Sequence, residues 1–322
     1  MPSPLRSLLP IPAITSTTVA LIAAVAIVPA ALAGPAVNQF EVKDLDVEQG
    51  ELEVELQSDW ASGMPRRKSV TEDGDTEFDD NEIARQRHSL EVGFGLTDWL
   101  RFSTGVEWEE ERIDDAASLA EANSFGDLEL TEFQFEGQVV LIPVAKHGIG
   151  LGAYAELEIP RFGEARSLYF GPIVQAVSGP WSATGNFAFV KSMGGTPEEG
   201  EARDEKWDFA YFTQVKYELS STWALALEAY GSIDRIGSSG TPSEAARAIG
   251  DQDQHRIGPV VYYAFSAGGG ASPSKAEADD DEAGGGDDDD EGTGVTLSAG
   301  VLFGLTDDTP DTTIKTGLEI EF

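Results

Sequence analysis

The chain contains no cysteine, which removes disulfides and thiolate metal sites from consideration. It is also poor in positive charge, with 21 Lys+Arg against 58 Asp+Glu in 322 residues. A phosphate backbone would be repelled by that balance, so nucleic acid is excluded as a partner. Imidazole is scarce, limited to His88, His147 and His255. Ser89 adjoins His88, but neighbours on a strand point to opposite faces and cannot act together as nucleophile and base. There is no G-x-S-x-G elbow and no phosphate-loop glycine pattern. No catalytic residue, metal site or cofactor is assigned, and no enzymatic activity is expected. Long apolar runs are missing too: beyond residue 33 nothing approaches the ~18 residues of a spanning helix. If the mature chain sits in a membrane, it must cross with strands.

What is present begins with an export signal. Arg6 supplies a positive n-region, an apolar run covers Val19 to Leu32, and Ala31-Leu32-Ala33 offers a small-residue cleavage site before Gly34. Residues 1–33 therefore read as a signal peptide, and the cleavage motif favours this over an N-terminal membrane anchor. The stretch Gly34 to Asp46 is mixed and polar and reads as a periplasmic lead-in.

From there to the end, residues 34–322 read as one domain built on period-two alternation. Leu52, Val54 and Leu56 alternate with Glu51, Glu53, Glu55 and Gln57. Similar strands follow around Leu90–Leu96, Leu100–Trp108, Asp127–Ile142, Ile149–Ile159, Leu168–Val177, Trp181–Phe189, Trp207–Leu219, Trp223–Ile233, Ile257–Phe265 and Val295–Leu305. The parity of the Asp127–Ile142 strand slips, which calls for a β-bulge near Thr131 or Glu132. The last strand, Thr313 to Phe322, sets Ile314, Thr316, Leu318, Ile320 and Phe322 on one face and Lys315, Glu319 and Glu321 on the other.

The expected fold is all-β: an antiparallel transmembrane β-barrel of about 12 strands, an even count as bacterial single-chain barrels have. Strands of about ten residues, at ~3.3 Å rise and ~40° tilt, cross about 25 Å. Most inner turns, such as Thr97–Trp99, Ser178–Pro180 and Ser220–Thr222, are short, and the outer connections are longer. All six tryptophans lie at strand ends: Trp60, Trp108 and Trp207 near the outer rim, Trp99, Trp181 and Trp223 near the inner one. Two such rows suit the headgroup levels of a bilayer. Leu318, Ile320 and Phe322 resemble the closing assembly signal of bacterial outer-membrane barrels.

The polar parity supplies a lumen. Arg101, Glu107, Glu156, Glu158, Lys216, Glu228, Lys315 and Glu319 are the candidate lining residues, and rings of carboxylates would favour cations. Whether the lumen is open, or occluded by side chains or by the Ala61–Ala84 loop, stays open at this point. One inner connection, residues 266–293, is an acidic Gly/Asp-rich insert expected to be disordered. It could collect divalent cations weakly through its carboxylates. The pentapeptide Phe-Gly-Leu-Thr-Asp occurs at 94–98 and at 303–307, on opposite rims if the count is twelve.

With the strands placed, the chain resembles the outer-membrane barrels grouped as "MetA-pathway of phenol degradation" transporters. The resemblance is carried by His88-Ser89-Leu90-Glu91-Val92-Gly93-Phe94-Gly95-Leu96-Thr97-Asp98, by Gly179-Pro180-Trp181, by Gly258-Pro259-Val260-Val261-Tyr262-Tyr263, and by Phe303 to Phe322. It implies location in the bacterial outer membrane and uptake of small, in part aromatic, solutes. Expected partners are outer-membrane lipid, the barrel-assembly machinery and a small solute. The competing reading is a closed barrel with a structural or binding role through its outer loops and the acidic insert.

Overall fold

The computed structural model describes residues 40–63, 68–70, 76–78, 84–113, 118–144, 148–161, 165–194, 207–233, 236, 253–267, 293–306 and 309–322. The signal peptide, His147 and residues 268–292 of the acidic insert lie outside them. Twelve strands close into an antiparallel barrel: β1 (Leu52–Ser62), β4 (Ala84–Thr97), β5 (Leu100–Glu111), β6 (Glu129–Ile142), β7 (Ile149–Pro160), β8 (Ala165–Ser178), β9 (Trp181–Gly194), β10 (Asp208–Glu218), β11 (Trp223–Ile233), β12 (Gln254–Ala267), β13 (Thr293–Gly304) and β14 (Thr312–Glu321). Two short strands, β2 (Lys68–Val70) and β3 (Thr76–Phe78), pair with each other in the β1–β4 connection. A single turn of helix, α1 (Leu119–Ala122), sits in the β5–β6 connection, with the Ser118 hydroxyl accepting from the Glu121 N–H. No described helix is long and apolar enough to cross a membrane.

Closure falls on β1, which pairs with β4 on one side (Leu56↔Leu90) and β14 on the other (Leu56↔Leu318). The terminal residue completes that seam: the Phe322 N–H donates to Leu52 O at 2.9 Å, and the Leu52 N–H donates to Phe322 O at 3.3 Å. No barrel strand is left with an open edge, the condition for backbone polar groups at membrane depth.

The parity slip in the fourth barrel strand has a single cause. Glu107 faces Glu132 and Trp108 faces Leu130, so Thr131 is the extra residue. The two Phe-Gly-Leu-Thr-Asp copies start in β4 and β13 at opposite rims, as generic strand-end sequences would. The insert leaves from Ala267 and returns at Thr293, on the rim where Phe322 ends.

Outside, the barrel presents large apolar side chains to its surroundings: Phe94, Phe102, Val215, Leu227 and Phe303 are all among the exposed residues. Inside, the opposite parity buries charge, with Glu107 and Glu228 fully enclosed. A soluble protein would have these reversed; this surface belongs in lipid.

One expectation is overturned. The described part of the stretch read as a periplasmic lead-in, residues 40–46, enters the barrel: Phe40, Lys43 and Leu45, with Val47 just after it, are buried there. They join a cluster with Tyr154, Tyr169, Ile173, Val190, Phe212 and Tyr230 from the walls. This is the core of the molecule, and it lies in the lumen. Mixed polarity misled the sequence reading, because the polar residues of this stretch meet polar walls. Room for it is made by glycine. A Cβ at Gly152 would stand 2.5 Å from Leu45 Cδ2 and 2.8 Å from Val139 O.

The folded protein should migrate differently in detergent gels before and after boiling, and trypsin should spare the bond after Lys43. Gly152→Val would push against both Leu45 and a fixed carbonyl. It should expose that bond to trypsin while the unboiled gel position persists. Cleavage after Lys43 at equal rates in both proteins would contradict the placement of the segment.

Candidate functional site

The lumen has two unlike walls. Strands β1 and β4 to β7 carry most of the acids, among them Glu53, Glu55, Glu91, Glu107, Glu136, Glu156 and Glu158. Strands β8 to β13 carry small and apolar inward residues, including Ile173, Ala188, Ala210, Phe212, Ala226, Val260 and Leu302, all buried. Period-two alternation produces both, since it fixes which residues face inward.

The threaded segment runs between these walls. Among the described contacts its backbone joins no β-ladder; side chains hold it. The Lys43 N–H donates to Asn186 Oδ1 at 2.7 Å, and Asn186 Nδ2 donates to Lys43 O at 2.7 Å. The Leu45 N–H donates to Gln175 Oε1 at 3.0 Å, Gln138 Nε2 donates to Asp44 O at 2.5 Å, and Arg101 donates to Asp46 O at 3.0 Å. Near the other end, Tyr230 donates to Phe40 O at 3.1 Å, joined there by the Lys315 ammonium. From Phe40 to Asp46 an extended chain covers about 20 Å, most of the membrane thickness. Bonds of this kind contribute about 0.5–1.5 kcal/mol each, so the segment is held firmly without being welded in.

Charged residues in the lumen are paired across strands. Lys315 lies 2.8 Å from Glu228 Oε2 and 2.8 Å from the Tyr230 hydroxyl. Gln214 donates to Glu228 Oε1 at 2.9 Å, and the Tyr262 hydroxyl bonds the same oxygen. Arg87 reaches Glu107 at 2.9 Å and also pairs with Glu109. Arg101 bonds Glu53 at 2.7 Å, with Glu51 further off at 3.4 Å. Within the threaded segment Lys43 donates to Glu41 at 2.7 Å, and it forms an ion pair with Glu136 of β6 at 2.8 Å.

The eight residues singled out in the sequence are thus spread over distinct places. Arg101 sits with Glu51 and Glu53 near the short-turn rim. Glu107 belongs to the Arg87 cluster, while Glu228 and Lys315 form one buried pair. Glu156 and Glu158 border a small cavity beside Lys43. Lys216 lies with its ammonium 5.8 Å from the Tyr262 ring centroid, and Glu319 pairs in register with Glu55. Sequence reasoning missed Lys43, Asn186, Arg87, Glu136 and Tyr230. The usable signal for the first was the apolar set Phe40, Val42, Leu45 and Val47 spaced through an otherwise acidic run.

On the outer surface, Trp60, Trp99, Trp181, Trp207 and Trp223 are exposed at strand ends, and Trp108 is half-buried. Trp181 packs on Tyr217 at 4.6 Å and Trp223 on Tyr263 at 4.7 Å between ring centroids. Leu318 and Ile320 are half-exposed on the same face, and Phe322 is exposed. His88 also faces outward, where its Nδ1 lies 2.7 Å from Ser58 Oγ and its ring meets Trp60 edge-on. Among the described contacts no carboxylate or amide orients that imidazole, as a nucleophile's base requires. His255 stacks on Tyr211, with Nδ1 2.9 Å from the hydroxyl. No group of described residues is arranged to hold a metal ion.

Lys315→Met should destabilise the barrel by about 3–5 kcal/mol, because Glu228 would stay buried without its cation. The double variant Lys315→Met/Glu228→Gln should regain much of that loss. Urea unfolding of the refolded protein in detergent reads both; an unchanged midpoint in the single variant would show that the pair holds nothing.

No protein-family model and no curated protein sequence matches the chain. Among solved structures it is similar to the CymD monoaromatic hydrocarbon channel, at 10% identity over 85% of this chain and 88% of that one, with a TM-score of 0.37. It is also similar to OccD1 (OprD), at 8% identity, 88% and 97% coverage and a TM-score of 0.34. The Acinetobacter baumannii outer membrane protein Omp33 gives 9% identity, 85% and 98% coverage and a TM-score of 0.32.

Proposed function

We propose that this protein is a bacterial outer-membrane channel that passes small solutes, cations ahead of anions, when its N-terminal segment leaves the lumen. The observation that carries the reading is how that segment is held. Residues 40–47 occupy the lumen through side-chain bonds to Asn186, Gln175, Gln138, Tyr230 and Lys315, and among the described contacts no β-ladder would have to break on release. A barrel needing only a filled interior could use its own side chains, as small barrels do. The acidic wall bearing Glu107, Glu156 and Glu158 would then face whatever passes, attracting cations and repelling anions.

The resemblance to the phenol-degradation transporters would add aromatic compounds to the solutes. The inward rings of Tyr154, Tyr169 and Phe212 are compatible with that. The tryptophan rows fit the two headgroup levels, and Leu318, Ile320 and Phe322 fit a signal for the barrel-assembly machinery. Weak collection of divalent cations remains the proposal for the acidic insert.

In planar bilayers the full-length barrel should be closed for most of the record. Deleting residues 34–47 should give steady, cation-preferring conductance. Glu107→Gln/Glu156→Gln in that background should move the reversal potential toward the unselective value. Silence from both the full-length and the deleted protein would remove the channel reading and leave the closed structural barrel.

A further inference from the structure

Lys43 is the cation of the threaded segment, and two carboxylates and a tyrosine ring surround its ammonium. Its ammonium lies 2.8 Å from Glu136, 2.7 Å from Glu41 and 5.9 Å from the centroid of the Tyr154 ring. One ammonium therefore contacts two carboxylates and lies over an aromatic face. Against it lies a cavity of about 20 Å³, room for roughly one water-sized group. The rings of Tyr154, Tyr169 and Phe212 and the carboxylates of Glu156 and Glu158 close its wall side.

Rings that present their faces and carboxylates that accept N–H bonds are the two elements of ammonium recognition. The segment's own lysine already uses both. We propose that this cage is a binding site for primary ammonium ions, that Lys43 occupies it as a tethered ligand, and that a soluble amine cation entering the lumen displaces Lys43 and loosens the segment. The inference rests on the channel reading and deepens it by naming a solute class. A primary ammonium is favoured over a quaternary one because Glu41, on the segment itself, takes an N–H from Lys43 and Glu136 stands 2.8 Å from the same ammonium, closer than methyl groups would allow.

The variant Lys43→Ala removes Cγ, Cδ, Cε and Nζ, which together have the shape of n-propylammonium. Lys43 stands outside every barrel strand, so the variant leaves strand pairing untouched. Calorimetric titration of the refolded full-length variant in detergent with n-propylammonium chloride should show one saturable site. Wild type should bind at least tenfold more weakly, because its lysine competes. Lys43→Ala/Glu136→Gln should lose at least tenfold relative to Lys43→Ala, and tetramethylammonium and sodium chlorides should not saturate. Lys43→Gln, which refills the cage with a neutral chain, should behave like wild type. No saturable binding to Lys43→Ala, or equal binding to wild type, overturns the site. Saturable binding together with silent bilayers from the 34–47 deletion would keep the site and remove the channel.

Discussion

In a bilayer, every backbone N–H and C=O at hydrocarbon depth must find its partner within the protein, and this chain meets that demand by closing β1 onto β14. The rest of the architecture follows from that closure. Once twelve strands form a ring, one parity of every strand meets lipid and the other meets the lumen. Leucine, valine and phenylalanine on the outward parity then become an apolar belt, and glutamates on the inward parity become a wall. The same glutamates on an open sheet would have been solvated and unremarkable.

Closure also creates an interior that has to be filled or wetted. Here it is filled by residues 40–47, whose apolar side chains pack against the small-residue wall of β8 to β13. Their backbone meets the amides of Asn186, Gln138 and Gln175. Amides suit this task because each offers both a donor and an acceptor to a peptide unit. The charges are divided in the same way. Arg87, Arg101, Lys315 and Lys43 each answer neighbouring carboxylates, but the acids remain in excess along one wall. That excess gives the lumen its sign.

Much of this was legible in the residues. The twelve strands, the bulge at Thr131 and the rim positions of the tryptophans follow from local alternation, which a single strand carries within itself. The inward parity of Glu107, Glu156 and Glu228 was legible for the same reason. The course of the N-terminal stretch was not. Asn186 lies 143 positions from Lys43, and Lys315 lies 275 from Phe40, so nothing in the neighbourhood of Phe40 or Lys43 announces the partners. Polar residues that meet a polar lumen look, in sequence, like polar residues that meet water.

By itself the sequence determined the class of structure, the approximate number of barrel strands and, where alternation is clean, the face on which a side chain stands. Those properties depend on period-two geometry and on residues at most a few places apart. Only the tertiary structure decided that the lumen is occupied, which segment occupies it, and that Lys43 is the cation set among the acids. Those facts depend on ring closure, which brings β1, β6, β9, β11 and β14 around one volume and gives distant amides and carboxylates a common target.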